Sequence, residues 1–482
     1  MPEPTQPPQK HVLCLTIPAY GHIIPLLEFA KKISAQHHVT FIVSSDKMEE
    51  IRQREVLTTE QNNQLEVLAL NDGVAFQFDK SVPDLKRVLD LVEQMEPVMT
   101  SLLKSLPIHN ADNTSNGILD RQNGHTALAI RRPVDAIVLD RFLCSIVLPI
   151  CIQLGIPGCV FNCSAGISGL DVTSDTPAIP DGAAGDGALA SSAISNFRVY
   201  DQPLTETMKK FLLMVNNPLP LASAILFNTF READETALKT ISVSPRTAHI
   251  PVYCVGPLFP TAERTSSSWK QSMEKKIVAW MDKQEVKSVV YVSFGSLAYL
   301  DEDQTRELSK ALLMLDKAFI LSMRKQYQSM LLEELQEGMK DQFERQDSRF
   351  LVLPWAPQKT VLGHEACAVF ITHAGWNSTL EGIVGGVPMV AWPMFADQPL
   401  NGQWMANKGL AVLIPNTRMD GGRVVPAEEI VQAVRWSQTG EFQKNIKAMQ
   451  IKAQQAVAEG GRTQADVSSF LNLLSSLPEQ FV

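Results

Sequence analysis

The sequence has no basic surplus and no leader-like start that would direct it to a nucleic acid or to secretion. The chain has 43 lysines and arginines and 52 aspartates and glutamates, so its net charge is 43 − 52 = −9. It therefore has no surplus of positive charge with which to bind a nucleic-acid backbone. The polar, proline-rich start MPEPTQPPQK lacks the apolar core of a secretory signal peptide. These absences exclude a nucleic acid as the expected partner and favour a small molecule.

One apolar run, CSIVLPICIQLGIPGCVF at 144–161, is nearly long enough to cross a bilayer. Pro149, Gly155 and Pro157 interrupt it, and each favours a turn or a helix break over a continuous span. We therefore predict a buried helix, a turn at Gly-Ile-Pro and a buried strand, and no integral membrane segment.

Cysteine is scarce and shows no metal-type pairing. The seven cysteines are odd in number, mostly lie in apolar runs and form no pair of the metal-binding type. They are predicted to be buried, reduced thiols, as in a protein of the cytoplasm. We expect a cytoplasmic monomer.

Short apolar runs alternate with amphipathic stretches, which is the pattern of parallel sheets flanked by helices. The pattern stops near 254 and restarts near 288, with the linker-like VGPLFPTAERTSSSWKQ at 255–271 between the two parts. The fold class predicted is α/β, with two doubly wound, Rossmann-like domains facing across a cleft. The predicted division is an N-terminal domain at 1–254, the linker at 255–271, a C-terminal domain at 272–455, and a C-terminal helix at 456–482 that packs back on the N-terminal domain.

Polar residues cluster after the predicted strand AVFITHA, in the segment THAGWNSTLEG at 372–382. A turn through Gly375 leads into a helix that begins near Trp376, and a helix N-terminus favours a phosphate. The alternative is purely structural, because Ser378 and Glu381 form the S-x-x-E pattern of a capping box. Capping does not account for His373, so we expect a ligand here.

The segment Trp355–Gln398 resembles the 44-residue signature box of plant-type family 1 UDP-glycosyltransferases. It has W-x-P-Q at its start, H-x-G-W-N-S-x-x-E in its middle and D-Q at its end. The resemblance continues in other segments of the chain, namely PAYGHIIPLLEFAK, IVLDRF, LFNTFRE, VGPL and VSFGS. It implies the two-domain GT-B fold, a UDP-sugar donor held mainly by the C-terminal half, and a small-molecule acceptor bound by the N-terminal half.

The resemblance also implies residue roles. Trp355 would stack on the uracil and the backbone of Ala356 would read its edge, while Gln358 and Glu381 would bind the ribose. The diphosphate would be surrounded by His373, Asn377, Ser378 and Ser296. The sugar would be read by Trp376, Asp397 and Gln398, with Ser164 as a candidate for the sugar 6-hydroxyl. In this family a terminal glutamine of the box accompanies glucose, so Gln398 favours UDP-glucose.

Transfer to a hydroxyl needs a base, and His22 follows the first predicted strand. Asp140 ends the strand VDAIVLD, where the family keeps an aspartate beside the base, so the two form a base and its orienting carboxylate. Asp135 is the competing carboxylate, at the start of the same strand. The resemblance implies an inverting reaction that needs no cofactor and no metal, with the helix N-terminus and His373 stabilising the leaving diphosphate. The DED at 301–303 resembles a metal motif, but an acidic first turn of a helix explains it more simply.

Two other functions stay open at this point. One is a UDP-sugar enzyme of the same fold that does not transfer, such as an epimerase, and the other is a nucleotide-sugar sensor. Retention of His22 and Asp140 argues against a sensor, and the W-x-P-Q and D-Q elements argue against an epimerase. One departure from the family pattern is Ala374, where cysteine or glutamine is common.

Overall fold

A computed structural model of the protein describes residues 9–53, 64–71, 84–107, 117–118, 129–165, 206–260, 268–345, 348–417 and 422–478. The chain divides into two units. The first unit is Met1–Thr265 together with Ala456–Val482, and the second unit is Ser266–Gln455. The division therefore falls inside the predicted linker, of which residues 261–267 lie outside the described ranges.

The first unit is built on a parallel sheet of seven strands with the order β3-β2-β1-β6-β7-β8-β9. Its strands are almost continuous apolar runs, because helices cover both faces of such a sheet. The strands are β1 (His11–Leu15), β2 (His38–Ser44), β3 (Leu65–Leu70), β6 (Ala136–Asp140), β7 (Gly158–Asn162), β8 (Ala224–Phe227) and β9 (Val252–Cys254). A separate antiparallel pair is formed by β4 (Gly117–Ile118) and β5 (Ala129–Ile130).

The helices of the first unit lie on the two faces of this sheet. Leu13 and Leu15 face one buried cluster, whereas Val12 and Cys14 face another, as the alternation of side chains along a strand requires. The helices are α1 (Tyr20–Ile33), α2 (Ser45–Gln53), α3 (Asp84–Lys104), α4 (Cys144–Leu154), α5 (Glu206–Asn216), α6 (Arg231–Val243) and α15 (Arg462–Ser475), with 3-10 turns at Arg141–Leu143 and Leu219–Leu221.

The apolar run at 144–161 folds into the predicted helix, turn and strand, but Pro149 lies inside the helix and does not interrupt it. It forms α4, then a left-handed turn at Gly155 with φ 69°, then β7. A positive φ costs glycine little, which makes this residue suited to ending the helix. Among the described residues, no helix combines the length and apolarity needed to cross a membrane.

The C-terminal helix α15 belongs to the first unit. Phe470 is fully buried there, with its ring 5.6 Å from that of Phe29 and 5.7 Å from that of Tyr253. Asp466 accepts two hydrogen bonds of 2.9 Å from the guanidinium of Arg231. Aromatic packing and a bidentate ion pair thus fasten the end of the chain to this unit.

The second unit has its own parallel sheet of six strands, with the order β12-β11-β10-β13-β14-β15. These strands are β10 (Val289–Ser293), β11 (Phe319–Ser322), β12 (Phe350–Leu353), β13 (Cys367–Thr372), β14 (Met389–Ala391) and β15 (Ala411–Leu413). The helices are α7 (Ser268–Met281), α8 (Glu302–Met314), α9 (Glu333–Gly338), α10 (Gln358–Gly363), α11 (Trp376–Gly385), α12 (Gln398–Asn407), α13 (Ala427–Ser437) and α14 (Gly440–Val457), with a 3-10 segment at Lys325–Met330. Two parallel, helix-flanked sheets confirm the predicted α/β class.

The acidic triplet at 301–303 begins a helix, as predicted. Asp301 is the N-cap of α8, and its side chain accepts a hydrogen bond of 2.8 Å from the N–H of Gln304. Glu302 and Asp303 occupy the first turn, where negative charge complements the helix dipole.

Candidate active site

The end of the first sheet brings His22 and Asp140 together. β1 and β6 are parallel neighbours, so the segments that follow their carboxyl ends lie side by side. His22 is in the first turn of α1, and its Nδ1 lies 2.7 Å from Oδ2 of Asp140. The other carboxylate oxygen accepts a 2.9 Å hydrogen bond from the N–H of Phe142 and caps the turn after β6. Both oxygens of Asp140 are therefore held, and the carboxylate in turn orients the imidazole.

The competing carboxylate, Asp135, lies at the opposite end of β6. Its Oδ2 accepts a hydrogen bond of 2.7 Å from the N–H of His11. The structure thus pairs His22 with Asp140 and places Asp135 at the amino end of the strands.

The surroundings of His22 set its proton chemistry. Burial disfavours the imidazolium, but the negative charge of Asp140, helped by Cys163, outweighs that effect and holds the pKa of His22 well above 6.5. Since Nδ1–H donates to Asp140, the lone pair is on Nε2 in the neutral ring. The side chain is 17% exposed, compared with 1% for Asp140. His22 is therefore an accessible base that a buried carboxylate makes stronger.

In the second unit, the turn after β13 is shaped around the ring of His373. Ala374 has a left-handed φ of 64°, and Gly375 is the N-cap of α11. A Cβ added at Gly375 would lie 2.5 Å from Nε2 of His373, and one added at Gly295 would lie 2.8 Å from the same atom. Glycine at both positions lets two backbone segments close on the edge of the imidazole.

His373 is a neutral group in this setting. Burial lowers its pKa to about 4. Within the part of the chain that the structure describes, Nδ1 is buried and has no hydrogen-bond partner. The ring would therefore act on a phosphate as a hydrogen-bond donor and not as a cation, which refines the role expected from the sequence.

The capping-box interpretation of Ser378 and Glu381 is wrong. α11 begins at Trp376, and its N-cap is Gly375, so both residues lie within the helix. Their side chains instead meet Gln358, whose Nε2 donates to Ser378 Oγ at 2.9 Å and to Glu381 Oε2. The hydroxyl of Tyr291 donates to Gln358 Oε1 at 3.1 Å. A polar network thus joins the start of α10 to the first turns of α11.

Glu381 is a carboxyl kept in unfavourable surroundings. Burial raises its pKa to about 7, although the hydrogen bond from Gln358 and the charge of Lys359 both lower it. A cap residue would be solvated near the helix dipole, whereas this group is partly buried in the network. The arrangement favours a ligand-binding carboxylate over a stabilising one.

The base-stacking candidate is an exposed indole. Trp355 follows β12 and is 45% exposed, whereas the adjacent Ala356 is only 3% exposed. A large apolar ring left open beside a buried backbone is what a stacking platform for a planar base requires.

Trp376 differs from the expectation that its side chain reads the sugar. Its indole is only 4% exposed and packs edge-on against Trp404, with ring centroids 5.2 Å apart. The indole is therefore a core side chain that packs α11 against α12. A sugar would therefore meet the backbone of Trp376 and not its indole.

The remaining sugar candidates lie at the start of α12. Oε1 of Gln398 accepts hydrogen bonds from the N–H groups of Met394 and Phe395, at 2.9 and 3.0 Å. Oδ2 of Asp397 accepts one of 3.1 Å from Asn401. Both side chains are thus anchored beside the loop that follows β14.

The other predicted residues are on turns. Ser296 follows β10 in an exposed turn, and Asn377 is partly exposed in the first turn of α11. In the first unit, the N–H of Ser164 donates to Oδ1 of Asn162 at 3.2 Å, just after β7. The structure therefore groups the donor-box residues at the strand ends of the second unit and places Ser164 at a strand end of the first.

Comparison with known proteins points to one family. Residues 257–448 match a family model described as UDP-glucoronosyl and UDP-glucosyl transferase, and the whole box from Trp355 to Gln398 lies inside this range. The chain is 29% identical to UDP-glycosyltransferase 72B1 of Arabidopsis thaliana over 474 residues, or 91% of this chain and 89% of that protein. Residues 257–448 thus match the UDP-glucoronosyl and UDP-glucosyl transferases, and the chain as a whole is similar to plant UDP-glycosyltransferases.

Other similar proteins match the chain over nearly its full length. It is 28% identical to 7-deoxyloganetin glucosyltransferase of Gardenia jasminoides, covering 98% of both proteins. The crystal structure of Medicago truncatula UGT71G1 complexed with UDP-glucose matches with a TM-score of 0.72 at 20% identity, covering 97% of this chain and 99% of that one. These likenesses confirm the GT-B fold predicted from the signature box.

Sequence reasoning missed one residue beside His22. Cys163 follows β7, and its Sγ lies 3.1 Å from Nδ1 of His22. All seven cysteines are buried and none forms a disulfide, as predicted. The special position of Cys163 could be found only from the strand order β1-β6-β7, which sets it next to the other two residues.

Proposed function

We propose that this UDP-glycosyltransferase transfers glucose from UDP-glucose to a hydroxyl of a small lipophilic acceptor, of phenolic, flavonoid or terpenoid type. The observation that carries the proposal is the 2.7 Å contact between Nδ1 of His22 and Oδ2 of Asp140. It leaves Nε2 as the basic atom, in a chain whose family uses UDP-sugars.

The base would act on the acceptor hydroxyl during attack. Nε2 of His22 takes the proton as the acceptor oxygen forms a bond to the anomeric carbon, and the bond from that carbon to UDP breaks. Asp140 stabilises the imidazolium that results. Attack from the face opposite UDP converts an α-linked donor into a β-glucoside.

The second unit would hold the donor. Trp355 stacks on the uracil, the backbone of Ala356 reads its edge, and the network of Gln358 and Glu381 binds the ribose. The diphosphate lies at the N-terminus of α11, where backbone N–H groups and the helix dipole favour negative charge. The donors around it are His373, Asn377, Ser378 and Ser296, and we propose that they replace a metal ion in stabilising the leaving group.

Sugar choice would depend on the start of α12. Asp397 and Gln398 present fixed polar groups, and a hexose with an inverted hydroxyl loses the hydrogen bonds that such groups supply. Glucose is preferred on this basis, with the backbone of Trp376 as a further contact.

The acceptor class follows from the neighbours of the base. The ring of Phe142 lies 4.8 Å from the ring of His22, and Phe211 meets Phe142 edge-on at 5.1 Å. Apolar rings beside the base suit an apolar or aromatic alcohol. The names of two relatives, 7-deoxyloganetin glucosyltransferase and flavonol 3-O-glucosyltransferase UGT71C4, agree with acceptors of this kind.

The direct test is product formation with the purified protein. UDP-glucose incubated with a panel of phenols, flavonoids and terpenoid alcohols should give β-glucosides and equimolar UDP. In competition, kcat/KM for UDP-glucose should exceed that for UDP-galactose. UDP release that does not depend on an acceptor, or a new UDP-sugar without any glucoside, would instead support the epimerase alternative.

A second prediction separates binding from stability at Glu381. Since its folded pKa of about 7 exceeds the usual 4.5, ionisation of Glu381 costs stability that grows as pH rises from 4.5 to 7 and is constant above. Glu381→Gln should therefore raise the melting temperature without ligand at pH 8. The same change should raise the donor KM about tenfold or more with little effect on kcat, because a charged hydrogen bond contributes about 1.5–3 kcal/mol.

Thermal melts with and without UDP provide the measurement. Glu365→Gln is the matched control, because Glu365 is an exposed carboxylate of the same unit. A Glu381→Gln protein that UDP stabilises as much as wild type would rule out the ribose role.

A further inference from the structure

Three metal-ligating side chains meet at the carboxyl end of the first sheet. Nδ1 of His22, Oδ2 of Asp140 and Sγ of Cys163 all lie within 4.8 Å of one another. They follow β1, β6 and β7, which are adjacent in the sheet. In the described part of the chain, this is the one group of three such residues close enough to hold an ion.

We propose that these three residues bind a thiophilic divalent cation of the zinc type and that the bound ion switches off the base. A nitrogen, a carboxylate oxygen and a thiolate form a donor set that zinc prefers. Three protein ligands also leave a fourth position for water, as in open zinc sites. The base of this enzyme would then be a site of metal inhibition and not of metal catalysis.

Zinc binding requires side-chain movements, which are small for the two pairs that include Nδ1 of His22, while Oδ2 of Asp140 and Sγ of Cys163 lie within 4.8 Å of each other. Zinc lies about 2.0–2.3 Å from such ligands, so tetrahedral ligand atoms are roughly 3.3–3.7 Å apart. Nδ1 now lies 2.7 Å from Asp140 Oδ2 and 3.1 Å from Cys163 Sγ, so both pairs must open by several tenths of an ångström. The three side chains leave the ends of separate strands, and rotation about their side-chain bonds supplies this movement.

The proton balance explains the inhibition. Binding removes the thiol proton of Cys163, and the metal displaces the proton from Nδ1 of His22. In the metal-bound neutral ring, the proton is on Nε2. That atom is then a donor and cannot accept a proton from the acceptor alcohol. Net release is one proton when His22 is neutral beforehand and two when it is an imidazolium.

Binding is tested without any enzyme assay. Calorimetry with Zn²⁺ in two buffers of different ionisation enthalpy should show one site that releases one to two protons. Co²⁺ should give a thiolate-to-cobalt charge-transfer band. Cys163→Ser should abolish the band and weaken the binding of Zn²⁺ at least about tenfold. Even the loss of an outer-shell partner lowers metal affinity about 10–100-fold.

The control is Cys159→Ala, which removes a buried thiol inside β7, the strand that ends just before Cys163, and should leave both signals unchanged. If Cys163→Ser melts abnormally, Cys163→Ala replaces it. Wild-type Zn²⁺ affinity in either Cys163 variant, or binding without proton release, would overturn the site.

Inhibition rests on the proposed function and is tested separately. Zn²⁺ should suppress glucosyl transfer by wild type, and EDTA should restore it. The inhibitory concentration, measured against each variant's own rate, should rise at least about tenfold in Cys163→Ser, in parallel with binding. A cobalt band in a protein without transferase activity would support the metal site and contradict the proposed function. Transferase activity without metal binding would support the proposed function and contradict the metal site.

Discussion

His22→Ala lowers kcat for an aliphatic alcohol by about 10²–10⁴-fold, the usual contribution of a positioned general base. The imidazole is accessible, and its Nδ1 is tied to Asp140, so the substitution removes the one ring nitrogen, Nε2, that is left to accept a proton. The UDP-binding candidates lie in the other unit, so UDP affinity should stay within a few-fold of wild type. Steady-state kinetics and calorimetry with UDP measure the two effects.

An aliphatic alcohol is required for this test, because a phenol ionises more easily and partly bypasses the base. His249→Ala is the matched control, since it removes an exposed histidine of the same unit. Turnover of a tenth of wild type or more in His22→Ala would show that another group removes the proton.

Asp140→Asn should also lower kcat by about 10²–10⁴-fold while leaving the fold intact. The amide keeps the shape of the side chain but removes the negative charge that stabilises the imidazolium. It can also offer an N–H to Nδ1, which would place the ring proton on Nε2. Acceptor kinetics and a thermal melt distinguish this loss from unfolding.

The pH dependence of kcat/KM should also differ between wild type and Asp140→Asn, in a direction that the pKa of His22 sets. In wild type the pKa of His22 is raised, so kcat/KM should increase with pH until that raised pKa is passed and the ring is neutral. Without the charge of Asp140, burial lowers the pKa, and the acidic limb should move to lower pH in Asp140→Asn. Asp135→Asn is the control, and its limb should coincide with that of wild type. An unmoved limb in Asp140→Asn would mean that His22 does not control the profile.

Much of the fold could be predicted because each buried parallel strand is a short, continuous apolar run in the sequence. The predicted strand HVTFIVSS at 38–45 corresponds to the observed strand His38–Ser44, and AFILSMR at 318–324 corresponds to Phe319–Ser322. The pairing of His22 with Asp140 was implied by the family resemblance, and it agrees with the tendency of polar residues after parallel strands to meet at one edge of the sheet.

What failed depended on contacts that no local pattern records. S-x-x-E marks a helix start only if the serine is the N-cap, and here the N-cap is Gly375, three residues before Ser378. The burial of Trp376 depends on Trp404 in the next helix, and the position of Cys163 depends on the order of three strands. These features depend on tertiary contacts, so they cannot be predicted from composition and residue spacing.

The anchored amide of Gln398 has a consequence for changing the donor of this enzyme. Its carbonyl already holds the loop at Met394 and Phe395, so a replacement that lacks an acceptor at the position of Oε1 releases two backbone N–H groups. Under the proposed role of Gln398 in reading the sugar, a change of sugar preference at this position would also change the shape of the loop. We therefore expect a switch of donor to need a further substitution that rebuilds the loop.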